Sequence, residues 1–143
     1  MGMREVFYSL GRENAMRLRE HASEMTGTEI IDREVDAAQF DPNKDYSGYP
    51  VGSPVRDDGQ VWILLQPHNA ANYGSRPATL RALWGLAHTT NAAKAKVWVA
   101  PYGTSGMYMK SECYKAADGT VYRCRQDNTV HDAAAYPAGW EVV

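Results

Sequence analysis

At 143 residues the chain has room for one domain or two very small ones, and its net charge of −2, with no basic cluster, argues against the concentrated Lys/Arg footprint of a nucleic-acid grip. Apolar stretches such as Val61 to Leu65 are far too short to cross a bilayer, so no membrane insertion is expected. Met1-Gly2-Met3-Arg4-Glu5 does not lead into the apolar run of a signal peptide, which makes synthesis in a cytosol the expectation.

The first predicted element is a helix with Ser9 as its N-cap. Gly11, Ala15, Leu18, Ala22 and Met25 recur at spacings of 4, 3, 4 and 3 and form a narrow seam of small and apolar side chains, while Glu13 can pair with Arg17 one turn on. Gly27 supplies a stop. Such a seam serves either to bring copies together as a homo-oligomer or to pack the helix on its own domain. Beyond Gly27, residues 29–35 read equally as a short strand or a short helix.

The rest of the chain is dominated by an internal repeat. Asp58-Gly59-Gln60-Val61-Trp62 returns sixty residues later as Asp118-Gly119-Thr120-Val121-Tyr122. At the same spacing Gln66 matches Gln126 and Pro77 matches Pro137, and each copy closes on a tryptophan, Trp84 or Trp140. Upstream the spacing is 59, pairing Phe40 with Val99, Tyr49 with Tyr108 and Val55 with Tyr114, so one residue of length changes near the turn. The alternative is two unrelated hairpins that use the same turn.

The repeat divides the chain into an N-terminal helix and connector at 1–39, a first β-module at 40–87, a linker at 88–96 and a second β-module at 97–143. Strands are expected near 52–56 and 60–66 in the first copy and near 108–115 and 120–126 in the second. The fold class is mainly β with an N-terminal α-helix, built as two tandem three-stranded antiparallel modules. Repeats of about 45 residues are near the lower limit of independent stability and are expected to lean on each other or on partner subunits. If Asp118-Gly119 is a two-residue loop, residues whose numbers sum to 237 face each other, which sets Cys113 opposite Cys124. That geometry admits a cross-strand disulfide; a pair of reduced, buried thiols is the other reading.

No catalytic constellation stands out. His21, His68, His88 and His131 have no metal-ligand spacing, and neither cysteine has a C-x-x-C partner. P-loop, nucleophile-elbow and dinucleotide signatures are missing, so neither an enzyme nor a metal or cofactor is expected; a small hydrolase would need a cleft with two carboxylates. The conspicuous resource is aromatic. Tyr49, Trp62, Trp84, Tyr108, Tyr122 and Trp140 recur between the copies and are assigned to the repeated core, whereas Tyr73, Tyr102 and Tyr136, in loops without a counterpart, are the candidate ligand contacts.

The order of a tyrosine, a turn, Asp-Gly-x-Val-aromatic, a polar loop, proline and closing tryptophan resembles the small chitinase-type carbohydrate-binding modules of the family 5/12 kind. It is most similar to the tandem copies found in tailed-phage and prophage structural proteins. The second copy carries it from Pro101-Tyr102-Gly103 through Asp118-Gly119-Thr120-Val121-Tyr122 to Tyr136-Pro137-Ala138-Gly139-Trp140-Glu141. The first carries it from Pro50-Val51-Gly52 through Gln66-Pro67-His68 to Arg76-Pro77 and Trp84. The resemblance implies a three-stranded sheet per copy and, in chitinase members, a platform of adjacent exposed rings after the second strand. Here that segment reads Arg123-Cys124-Arg125-Gln126 or Ile63-Leu64-Leu65-Gln66, without adjacent rings. It also implies a place in a virion tail or baseplate, with other virion proteins and host-surface polysaccharide as partners; decoration or protein docking without sugar binding is the alternative.

Overall fold

The computed structural model describes residues 3–143, with side chains described from Leu10 onward. Helix α1 runs Met3–His21, so Ser9 lies inside it and is not its cap. The Glu13–Arg17 pair forms on its exposed face. Along the seam Gly11 is exposed, Ala15 and Met25 are half-buried, and Leu18 and Ala22 are buried. Only the C-terminal half of the seam is therefore spent on the chain's own body. Gly27 opens a second helix, α2 (Gly27–Asp32), instead of closing the first. Thr26 caps it: its hydroxyl accepts from the Glu29 N–H (3.2 Å) and its own N–H donates to the Glu29 carboxylate (3.0 Å), a reciprocal box that satisfies two otherwise orphaned donors.

Two four-stranded mixed sheets follow. The first is β1 (Ala38–Gln39), β2 (Pro54–Asp57), β3 (Gln60–Leu64) and β4 (Trp84–Leu86), in that spatial order. The second is β5 (Lys96–Val97), β6 (Cys113–Lys115), β7 (Val121–Cys124) and β8 (Trp140–Val142), also in order. Three strands of each are antiparallel, as expected, but a two-residue strand pairs parallel to the outer edge, β1 on β2 and β5 on β6. The modules are thus four-stranded, and strands this short carry no sequence periodicity of their own.

The turns show where the length change sits. Asp58 and Gly59 both have positive φ (52° and 73°) between the paired Asp57 and Gln60, the geometry of a two-residue type I′ loop. In the second copy the Ala116 N–H donates to the Thr120 carbonyl (2.8 Å) and the Gly119 N–H to the Ala116 carbonyl (2.9 Å), which encloses three residues and leaves Gly119 alone at positive φ. The longer loop moves the register by one. Cys113 faces Arg123, and Cys124 faces Trp140 on the next strand. Alternation then puts the two cysteines on opposite faces of the sheet, and both are free thiols.

Ring packing corrects two of the pairings read from spacing. Phe40 stacks on Tyr46 (6.0 Å, 8°), and Tyr46 meets Trp84 edge-on (5.3 Å, 88°). Trp98 stacks on Tyr108 (4.9 Å, 11°), and Tyr108 meets Trp140 edge-on (5.4 Å, 71°). Tyr46 therefore holds the place of Tyr108, and Phe40 that of Trp98. Tyr49 lies half-buried beside Tyr46, with the Arg19 guanidinium 4.4 Å from its ring centroid. The closing tryptophans come seven residues after Pro77 but three after Pro137, so the first module carries four extra residues there, within Leu80–Leu83.

Alternation along β3 splits its side chains between two cores. Trp62 and Leu64 join Phe40, Tyr46, Val55 and Trp84 on one face, while Val61 packs with Ala22, Ile30, Ile31 and Ala87 beneath the helices. The second module has its own aromatic core of Tyr108, Tyr114, Cys124 and Trp140. The two units are tied closely. Val99 packs into the first core, Gln60 Nε2 donates to the Val97 carbonyl (2.9 Å), and Arg81 donates to the Ala100 carbonyl (2.8 Å). The Cys113 N–H reaches the Thr89 carbonyl (2.8 Å), and His88 stacks on Tyr108 with centroids 3.7 Å apart.

His88 is buried at this joint and hydrogen-bonded through Nε2 to the Gly106 carbonyl (2.9 Å). Burial lowers its pKa from 6.5 to about 4, a little offset by that bond and reinforced by Arg81. Between those values the unfolded chain takes up the proton and the folded chain refuses it, so this contribution, of order 3 kcal/mol, is present above pH 6.5 and lost as pH falls toward 4. Chemical denaturation at several pH values should show that decline, and His88→Phe should flatten it; an unchanged slope in the variant would assign the effect to other groups. A second prediction concerns Gly27, where a Cβ would run into the His88 backbone carbonyl. Gly27→Ala should cost about 1–3 kcal/mol in urea denaturation, whereas Gly48→Ala, with open space around it, should be neutral or mildly stabilising.

Candidate functional site

An apolar groove of about 590 Å³ lies on the second module. Its floor is built by cross-strand neighbours: Tyr114 on β6 pairs with Tyr122 on β7, and their rings stack at 5.4 Å and 26°. Trp140 stands edge-on to Tyr114 (4.7 Å, 89°), and Trp98, just past β5, packs at 5.0 Å from it. Ala133, Ala134 and Pro137 form one wall, and the exposed Val97 and Val142 flank the mouth. Tyr122 and Trp98 are only half-buried, so each presents part of a ring at the groove.

Hydrogen bonds hold the groove in shape. The Tyr114 hydroxyl accepts from the Ala133 N–H (2.9 Å), which anchors the wall, and the Trp140 indole donates to the His131 carbonyl (2.8 Å). Asp132 accepts from the Ala135 N–H (3.0 Å) and folds the following turn. Both buried rings therefore have their polar atoms satisfied by the loop that borders the groove, and the groove is held in a fixed shape.

The equivalent face of the first module is chemically different. There the concavity is lined by Gln39, Asp57, Asp58, Arg76, Ala78 and Thr79. Asp57, 2 % exposed, accepts a bidentate pair from Arg76, with Nε at 2.9 Å, and stands where the second module has Ala116. Trp62, the counterpart of Tyr122, is 1 % exposed, donates its indole N–H to the Asp57 carbonyl (3.2 Å) and has Arg81 over its ring at 5.4 Å. Arg81 belongs to the four-residue stretch that the second module lacks. One concavity is polar and bordered by an ion pair, with its tryptophan covered by a guanidinium; the other is apolar and aromatic.

The loop tyrosines expected to touch a ligand are dispersed. Tyr73 is exposed and edge-on to His68 (5.4 Å, 87°), and Tyr102, 57 % exposed, closes a tight turn with Ser105. Tyr136 is half-buried over Gly139, and its hydroxyl accepts from Gln126 Nε2 (2.9 Å). None of the three lines the aromatic groove. Of the residues assigned to the repeated core, Trp62, Trp84, Tyr108 and Trp140 are buried, while Tyr49 and Tyr122 are half-buried. The groove pairs Tyr114 with Tyr122, eight positions apart in sequence, so a search for adjacent rings passes over it; the signal was the hairpin register.

Among the described residues no group of three His, Cys, Asp or Glu side chains could hold a metal ion, and no helix is long and apolar enough to cross a membrane. No protein-family model matches the chain, and no curated protein matches it.

Proposed function

We propose that the chain is a non-enzymatic structural protein of a phage or prophage virion, in a tail or baseplate, whose second β-module contacts host-surface glycans through the Tyr122 groove. The observation that carries this reading is the apolar, ring-lined concavity on the second module, set against a polar counterpart on the first that the Asp57–Arg76 ion pair borders. Flat rings complement the apolar face of a sugar, and the backbone bonds that tie Tyr114 and Trp140 pre-organise the surface. The virion context draws its support from the resemblance of both copies to the tandem carbohydrate-binding modules of tailed phages.

Helix α1 is the oligomerising element in this reading, because Gly11 is exposed and Ala15 half-buried while the lower seam is already used. Gly11→Glu should reduce the sedimenting mass without lowering the denaturation midpoint; an unchanged mass would remove the helix from assembly. A second reading, docking onto another virion protein, is favoured by the exposed Val97, Val142 and Val143 near the groove. A glycan array separates the two. The intact protein should bind, and Tyr122→Ala should weaken binding roughly tenfold, about 1.4 kcal/mol. A folded, oligomeric sample that binds no glycan would leave protein docking.

A further inference from the structure

We infer that the cleft between the first turn and strand β5 is a separate subsite for a sugar acid, a ring that carries a carboxylate beside a hydroxyl. The cleft, about 350 Å³, is lined by Glu34, Val35, Arg56, Gly59, Gln60 and Lys96. It rests on the glycan reading only for the choice of a sugar as ligand, since its residues are distinct from those of the aromatic groove.

The pointer is Gln60. Its side chain is 7 % exposed, and its amide orientation is set because Nε2 donates to the Val97 carbonyl (2.9 Å). Oε1 is then left buried without a hydrogen-bond partner among the described residues. A buried acceptor without a donor is costly, and a ligand hydroxyl is the kind of group that relieves it. The charges around it are unbalanced. Lys96 pairs with Glu34, while Arg56 uses Nε on the Ala37 carbonyl (2.8 Å) and makes no ion pair among the described residues. Two cations against one carboxylate leave one positive charge in excess, carried by a guanidinium whose fork suits a planar carboxylate.

A simple anion would meet Arg56 and leave Gln60 Oε1 bare. A neutral sugar would meet Gln60 and leave the charge unanswered. A hydroxy-carboxylate satisfies both. The cleft also shares strand β5 with the groove: Val97 flanks the groove, and its neighbour Lys96 lines the cleft. The strand thus joins an apolar stacking surface to a charged contact.

The test is a titration of the isotopically labelled full chain with glucuronate, followed through the Gln60 side-chain amide and the Arg56 Nε–H resonances. Methyl glucoside supplies the hydroxyls without the charge, and acetate the charge without the hydroxyls. Glucuronate should give saturable shifts at both residues. Either control, or Arg56→Gln titrated with glucuronate, should bind roughly tenfold more weakly, the loss of one charge-assisted hydrogen bond. Shifts of equal strength with acetate would show an anion contact only and overturn the proposal, as would no saturable shift or an unchanged affinity in Arg56→Gln. Tyr122→Ala should leave these shifts in place. If they persist while the array shows no groove binding, the groove reading falls and the cleft stands; the reverse pattern sinks the cleft alone.

Discussion

Each module is organised by one tryptophan driven edge-on into a stacked aromatic pair. Trp84 does this against Phe40 and Tyr46, and Trp140 against Trp98 and Tyr108. A sheet of strands two to five residues long buries little by itself, so a few large rings must supply the core, each such pair adding about 0.5–1.5 kcal/mol beyond its buried area. The arrangement also explains the short parallel strands. Phe40 and Trp98 directly follow β1 and β5, and those strands deliver them to the ring cluster.

Once the rings are set, the loops between them tolerate revision, and the two copies have used that freedom differently. Four extra residues before Trp84 bring Arg81 over Trp62, and the Asp57–Arg76 pair makes the face beside it polar. In the other copy alanine stands where Asp57 would be, the extra turn is missing, and Tyr122 remains half-exposed. The ring cage is thus the same in both copies, and what lies over it differs.

Much of this architecture could be read from the chain. The repeat, the Asp-Gly turns, the closing tryptophans and the site of the one-residue change are all local or periodic signals, and the structure has each of them. The short parallel strands could not be read, because two residues carry no period. The opposition of Cys113 and Cys124 failed because the second turn encloses three residues, and one residue of register inverts the face of every side chain that follows from it. The groove was illegible for a related reason: its rings lie on different strands, and only the correct register brings Tyr114 beside Tyr122. Tyr49 was paired with Tyr108 by constant spacing, whereas ring packing selects Tyr46 because the connection between the rings differs in length.

The lodging of Val99 in the first core bears on how the molecule responds to load. Repeats usually suggest beads on a string, each able to open without its neighbour. Here pulling the second module away would strip a side chain from the first core and break the Gln60 and Arg81 bonds across the joint. The pair is therefore mechanically a single bead. Tension would be shared by both halves, and the aromatic groove would keep its shape until the whole unit yields.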